Sequence, residues 1–130
     1  MKTVFLDANV LYSASHKPDW VVSWLIFAGK ADFVTSRYAV AEVRRNLPAE
    51  EHRSLERLLK KVRLVADAFG APPPGVALRG KDIPILASAA AAAVDILVTG
   101  DQRDFGALFG RTFSGVKIVA PGDLASELLK

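Results

Sequence analysis

Five acidic residues mark the places in this chain where chemistry could be done. Asp7 directly follows the apolar run Val4–Phe5–Leu6, and Asp101 comes two residues after Thr99, at the end of the run Ile96–Leu97–Val98. Asp82 precedes Ile83–Pro84, Glu42 lies in a segment of helical period, and Asp104 is three residues beyond Asp101. The chain has no cysteine and only two histidines, His16 and His52. Disulfide frameworks, thiolate zinc sites and cysteine nucleophiles are thereby excluded, and two histidines argue against a histidine-rich metal site. Several carboxylates gathered in one cleft repel one another, and some must protonate unless a cation offsets them. No lysine or arginine adjoins Asp7 in sequence. Oxygen-only donors suit magnesium or manganese. Such ions hydrolyse phosphodiesters by activating water and stabilising the leaving oxygen, singly or as a pair about 3.5–4 Å apart.

Taken one at a time, most of these acids have simpler explanations. Asp82 ahead of Ile83–Pro84 has the form of a helix N-cap. Asp101 after Gly100 suits a turn or a cap, and Asp104 in a first helical turn favours the helix dipole. Glu42 has Arg45 and Asn46 at i+3 and i+4, as a solvated helix glutamate would. Asp7 resists this treatment, because a carboxylate straight after a buried strand costs free energy unless it is paired or bound.

The elements that must position these side chains alternate between short β-like runs and helical periods, the pattern of a parallel sheet with helices on its faces. Strands are predicted at Val4–Leu6, Asp32–Thr35, Leu64–Ala66, Ile96–Thr99 and Lys117–Val119. Pro18 opens a helix with Val21, Trp24, Leu25 and Phe27 near helical spacing, which Gly29 can close. Ser36 is a candidate N-cap for a helix running toward Asn46, and Pro48 ends it. A further helix carries Leu55, Leu58, Leu59 and Val62 at i, i+3, i+4 and i+7. Ala71–Gly75 (APPPG) reads as a loop. Ile83 to Val94, Gln102–Phe109 and Gly122–Leu129 read as helices, and the alanine block Ala89–Ala93 is assigned only a helix-forming role. The expected order is β-α-β-α-α-β-α-β-α-β-α. In such sheets ligands bind at the carboxyl ends of the strands, where Asp7, Asn9, Thr99 and Asp101 would stand.

The chain's 130 residues fit one α/β domain, 1–130. The first apolar run is broken by Asp7 and Asn9, too early for a signal peptide or a membrane span, so a cytoplasmic protein without a membrane partner is expected. Residues 36–66 hold eight basic groups against four acidic ones, whereas the flanking thirds balance or run slightly acidic. A solvated helical face accounts for this excess. A phosphate-facing surface does so as well, should the substrate be anionic.

The segments VFLDANVLYSAS, VTSRYAVAEV, KDIPILASA and ILVTGDQRDF resemble, in order and spacing, the successive motifs of PIN domains. Many of those are metal-dependent ribonucleases, including the VapC-like toxins of toxin–antitoxin pairs. The likeness runs from Val4 to about Val119. It implies a three-layer α/β/α fold with a five-stranded parallel sheet, and an endoribonuclease using one or two Mg2+ or Mn2+ ions. It further implies that Asp7, Glu42, Asp82 and Asp101 are catalytic and hold the metal, with Asp104 as an accessory ligand. Asn9 and Thr99 match positions that orient the acids. Ser36 stands where a small hydroxyl residue precedes the second acid's helix, which an N-cap explains equally. RNA, a cognate antitoxin and a second copy of the chain are the implied partners. Arg37, Arg44, Arg45, Lys60 and Lys61 would then meet phosphates and make binding salt-dependent; Arg103 reads as an ordinary surface arginine, with steadying the scissile phosphate as the other reading. Trp20, Trp24 and Phe27 are read as core, with an aromatic dimer or antitoxin surface as the other reading.

Two readings from other classes stand beside this one. An inert module of the same fold would act through a protein partner and bind no metal. A phosphoryl-transfer enzyme would use Asp7 as a covalent nucleophile, but Asn9 occupies the place where such enzymes carry a second aspartate.

Overall fold

The computed structural model describes residues 1–70, 78, 80 and 82–129. The expected loop at Ala71–Gly75 lies outside the described residues. The strands are β1 (Thr3–Leu6), β2 (Asp32–Ser36), β3 (Arg63–Val65), β4 (Ile96–Val98), β5 (Thr112–Phe113) and β6 (Val116–Val119). The helices are α1 (Ala8–His16), α2 (Val21–Phe27), α3 (Arg37–Asn46), α4 (His52–Leu59), α5 (Ile83–Ala91), α6 (Gln102–Phe105) and α7 (Pro121–Leu128).

The six strands form one sheet in the order β3-β2-β1-β4-β6-β5. Every pairing is parallel except that of β5 with β6. From β1 the chain steps to β2 and β3 in one direction, then crosses back to β4 and β6 in the other. Right-handed crossovers therefore set α1–α4 on one face and α5 and α6 on the opposite face, a three-layer α/β/α arrangement. Packing of α1 against α2, α3 and α4 agrees with this, and α7 closes against α2. Val4, Phe5 and Leu6 of β1 are fully buried, as is expected of a central parallel strand covered on both faces.

Several local expectations are met by identifiable atoms. Ser36 Oγ accepts the Ala39 N–H at 3.2 Å and caps α3. Gly29, at φ +66°, closes α2 with Lys30 N–H returning to Leu25 O. The alanine-rich helix stops at Ala91, shorter than the predicted Val94, because Ala93 turns left-handed and Val94 N–H returns to Ala89 O.

Three features correct the sequence reading. The sheet has a sixth strand, because Ser114 and Gly115, both at positive φ, turn β5 back on β6 as a tight hairpin. Helix α1 was absent from the expected element order; it grows directly out of Asp7 and is held by packing on α3 and α4. The predicted helix over Gln102–Phe109 is one turn of α6 followed by a 3-10 turn at Gly106–Leu108. The aromatic stripe on α2 is also only partly core. Trp24 and Phe27 are 55% and 47% exposed, while Val22, Leu25 and Ile26 fill the interior. Every residue of α2 but Ser23 is apolar, so helical spacing fits either face.

Candidate functional site

The point where the strand order reverses lies between β1 and β4, and the crevice beyond their carboxyl ends is where doubly wound sheets bind ligands. Parallel register sets Leu6 beside Val98, so Asp7 and Thr99 leave the sheet side by side. Asp7 N–H still bonds Val98 O at 3.1 Å. Its extended backbone, ψ 160°, makes it the N-cap of α1, with Oδ1 accepting the Ala8 N–H at 2.6 Å. Thr99 Oγ1 donates to Asp7 Oδ2 at 2.7 Å and accepts from Asp101 N–H at 3.2 Å. Asn9 Nδ2 lies 3.3 Å from both Asp7 Oδ2 and Thr99 Oγ1, while its Oδ1 accepts the Gly100 N–H at 2.7 Å. A Cβ at 100 would meet Asn9 Oδ1 at 3.3 Å, so a larger residue there would push Asn9 aside by a few tenths of an ångström.

Asp101 caps α6 by accepting the Asp104 N–H at 3.1 Å, so the capping explanation holds for it. For Asp82 it fails. Asp82 already has helical backbone angles, φ −95° and ψ −15°, and Pro84 lacks an N–H, so its side chain makes no cap bond. Its carboxyl instead shares a hydrogen bond with Asp104, and its Oδ2 is buried with no partner among the described residues. One carboxylate oxygen from each of Asp82, Asp101 and Asp104 lies within 4.8 Å of the other two. Asp7 and Glu42 stand outside that trio but line the same cavity, of about 310 Å3, with Asp82 and Asp101.

Burial raises the Asp7 carboxyl to about 6, against the pull of Thr99 and Ala8 and with further push from Glu42 and Asp101. Asp82 rises to about 7, from burial first, then from its bond to Asp104 and the charges of Asp7, Asp101 and Asp104. Two carboxyls bonded to one another need a shared proton, which a cation among them would displace. The donor set is all oxygen, and a buried carboxylate oxygen is left over, so the residues present fit a hard divalent ion.

The remaining predicted positions divide. Glu42, half-buried on α3, and Asn9 and Thr99 join the acids, whereas Ser36 is buried as a cap one element away. Arg103 is exposed on α6 beside Asp104. Arg37 borders a separate surface with Leu64, Val65 and Asp67, and Arg44 pairs with Glu56 at 2.7 Å. Arg45, Lys60 and Lys61 are exposed and none of them lines the acidic cavity. The cavity also takes in Tyr12, Ser13 and Asn46, which the sequence reading passed over. Their signal was spacing: Tyr12 and Ser13 lie one turn beyond Ala8 and Asn9, and Asn46 one turn beyond Glu42.

Among the described residues no helix is long and apolar enough to cross a membrane. No family model and no curated protein matches the chain. Among solved structures it is similar to a chain of VapBC2 from Rickettsia felis, a structure bound to a DNA fragment from their promoter. The TM-score is 0.65 at 17% identity, covering 91% of this chain and 98% of that one. The likeness shows a shared fold.

Proposed function

We propose that the chain forms one PIN-type nuclease domain, a magnesium- or manganese-dependent endoribonuclease acting as the toxin of a toxin–antitoxin pair in the cytoplasm. The observation that carries the reading is the acidic cluster at the β1–β4 switch point, with Asp82 Oδ2 buried and without a partner among the described residues. Asp7, Glu42, Asp82 and Asp101 would hold one or two ions, with Asp104 beside them. When bound, such an ion supplies a water acidic enough to ionise near neutral pH and charge stabilisation at the leaving oxygen. The chain's own part is positional. Thr99 and Asn9 fix the Asp7 carboxylate, the Ala8 N–H at the start of α1 donates to it, and the Ser36 cap anchors the helix that carries Glu42.

The fold shared with a VapBC2 chain supports an antitoxin partner, and the proposal includes a homodimer. The exposed cations Arg37, Arg45, Lys60, Lys61 and Arg103 would meet RNA phosphates. The test is cleavage of a labelled single-stranded RNA with Mn2+, alongside Asp7→Asn. Wild-type cleavage that drops about 1,000-fold in the variant is the expected result. Equal cleavage by both, or wild-type protein that neither binds Mn2+ nor cleaves, would sink the reading.

A further inference from the structure

The acidic cavity does not end at the acids. It runs between two helices that contribute matching stripes: Ala8, Asn9, Tyr12 and Ser13 from α1, and Glu42, Val43 and Asn46 from α3. Along the axis of α1, Tyr12 lies one turn, about 5.4 Å, beyond Ala8. Past that point the lining changes character. Among the described residues no cation lines the cavity, and beyond the acids its walls are a phenol ring, the methyl groups of Val43, a hydroxyl and an amide.

Tyr12 is half-buried, and its ring rests against that of His16, with centroids 6.0 Å apart. Asn46 is oriented by donating Nδ2 to Glu42 O at 2.9 Å, which leaves its Oδ1 directed away from the helix bond. Among the described residues, Tyr12 Oη, Ser13 Oγ and Asn46 Oδ1 make no hydrogen bond within the protein.

A neutral aromatic wall edged by open hydroxyl and amide groups is poorly suited to a phosphate, which needs cations or converging N–H donors. It suits a flat, neutral ring with donors and acceptors on its rim, which is what an unstacked nucleobase offers. We infer that this outer half of the cavity is a nucleobase subsite. It seats one unpaired base adjacent to the scissile phosphate, stacked on Tyr12 with its edge facing Asn46 and Ser13. The inference rests on the ribonuclease reading, and it narrows the substrate to RNA that is single-stranded at the cut. Asn46 and Ser13 then supply base selectivity that the acids, which handle only phosphate and water, cannot give.

The test uses single-stranded RNA oligomers carrying one 2-aminopurine at successive positions, cleaved in Mn2+ by wild type, Tyr12→Phe, Tyr12→Leu and Asn46→Ala. Loss of one base–aromatic stack should raise KM of Tyr12→Leu by about 5- to 150-fold while kcat changes little. Tyr12→Phe keeps the ring and should stay near wild type. Fluorescence quenching on binding should be confined to the position next to the cut and be lost in Tyr12→Leu. Asn46→Ala should broaden the set of bases tolerated there. Mn2+ affinity, read on the same proteins, should be unchanged in all three and certifies their folding. A Tyr12→Leu protein with wild-type Mn2+ affinity, KM and cleavage pattern would overturn the subsite and leave the nuclease standing. Wild-type protein that cleaves no RNA would overturn both.

Discussion

Asp7 and Asp82 are both buried aspartates whose carboxyls are pushed well above their ordinary value, yet the two regions that hold them are opposites. At the β1–β4 seam, parallel register places Thr99 beside Asp7, and both Asp7 oxygens accept hydrogen bonds from the protein. At the start of α5, helical backbone angles and Pro84 deny Asp82 a cap bond. One of its oxygens has no partner among the described residues, and its bonded neighbour is another acid. The seam finishes its carboxylate from within the fold; the α5 end leaves its own unfinished. An unfinished buried carboxylate is tolerable where a cation completes it, and costs free energy everywhere else.

The largest expected effect follows from that cost. Asp7 has a folded pKa of about 6 against 3.8 unfolded, so folding takes up a proton between those values. The stability this gives is complete below about pH 3.8 and is lost as pH rises through about 6. In metal-free protein, the unfolding free energy of wild type relative to Asp7→Asn should therefore fall by on the order of 3 kcal/mol from pH 4 to pH 7. Asp82→Asn should show the same direction with its loss centred near pH 7. Urea titrations of the three proteins at several pH values measure it. Adding Mn2+ at pH 7.5 should restore the wild type alone. Parallel curves for wild type and both variants would erase the contrast between the two regions as well as the strain they share.

Thr99→Val should come next. It removes the donor to Asp7 Oδ2 and the acceptor for Asp101 N–H while keeping the shape of the side chain. Removing a partner that orients a ligand typically costs about 10- to 100-fold in metal affinity. Mn2+ titration by calorimetry reads this directly. Among the described residues Asp82 has no comparable donor to remove, so a wild-type affinity in Thr99→Val would show that the seam's hydrogen bonds are incidental.

The difference between the two regions also explains what could be read in advance. Asp7 was legible because a carboxylate directly after Val4–Leu6 has no cheap explanation, and Ser36 because a hydroxyl between an apolar run and a helical period has one. For Asp82 taken alone the letters suggest a cap, and what denies it is its own ψ together with Pro84 lacking an N–H, of which only the second is visible in the letters. Helix α1 was missed because Asp7 and Asn9 interrupt its apolar pattern. Its stability lies in packing against α3 and α4, to which local propensity is blind. With it went Tyr12 and Ser13, whose spacing means nothing until the helix is known. The β5–β6 hairpin had a signal, the Ser114–Gly115 pair, overlooked because two residues make a very short strand.

The smallest effect contrasts the acidic crevice as a whole with the basic face of α4. Arg53 and Arg57 lie one turn apart on the exposed side of that helix and Lys60 and Lys61 follow exposed at its C-terminal end, whereas Leu55 and Leu58 face the core. None of these cations lines the acidic cavity, so they would add affinity without touching the reaction. Each phosphate contact on single-stranded RNA contributes about 0.7 to the slope of log binding constant against log salt. Lys60→Ala combined with Lys61→Ala should lower that slope by about 1 and leave kcat at saturating RNA unchanged. Arg44→Ala should do less, because its guanidinium is already engaged by Glu56 at 2.7 Å. Fluorescence anisotropy across a salt series, paired with single-turnover cleavage, separates the two quantities. A fall in kcat in the double variant would place the α4 face within reach of the scissile phosphate. The two regions would then act on one step of the reaction instead of dividing affinity and chemistry between them.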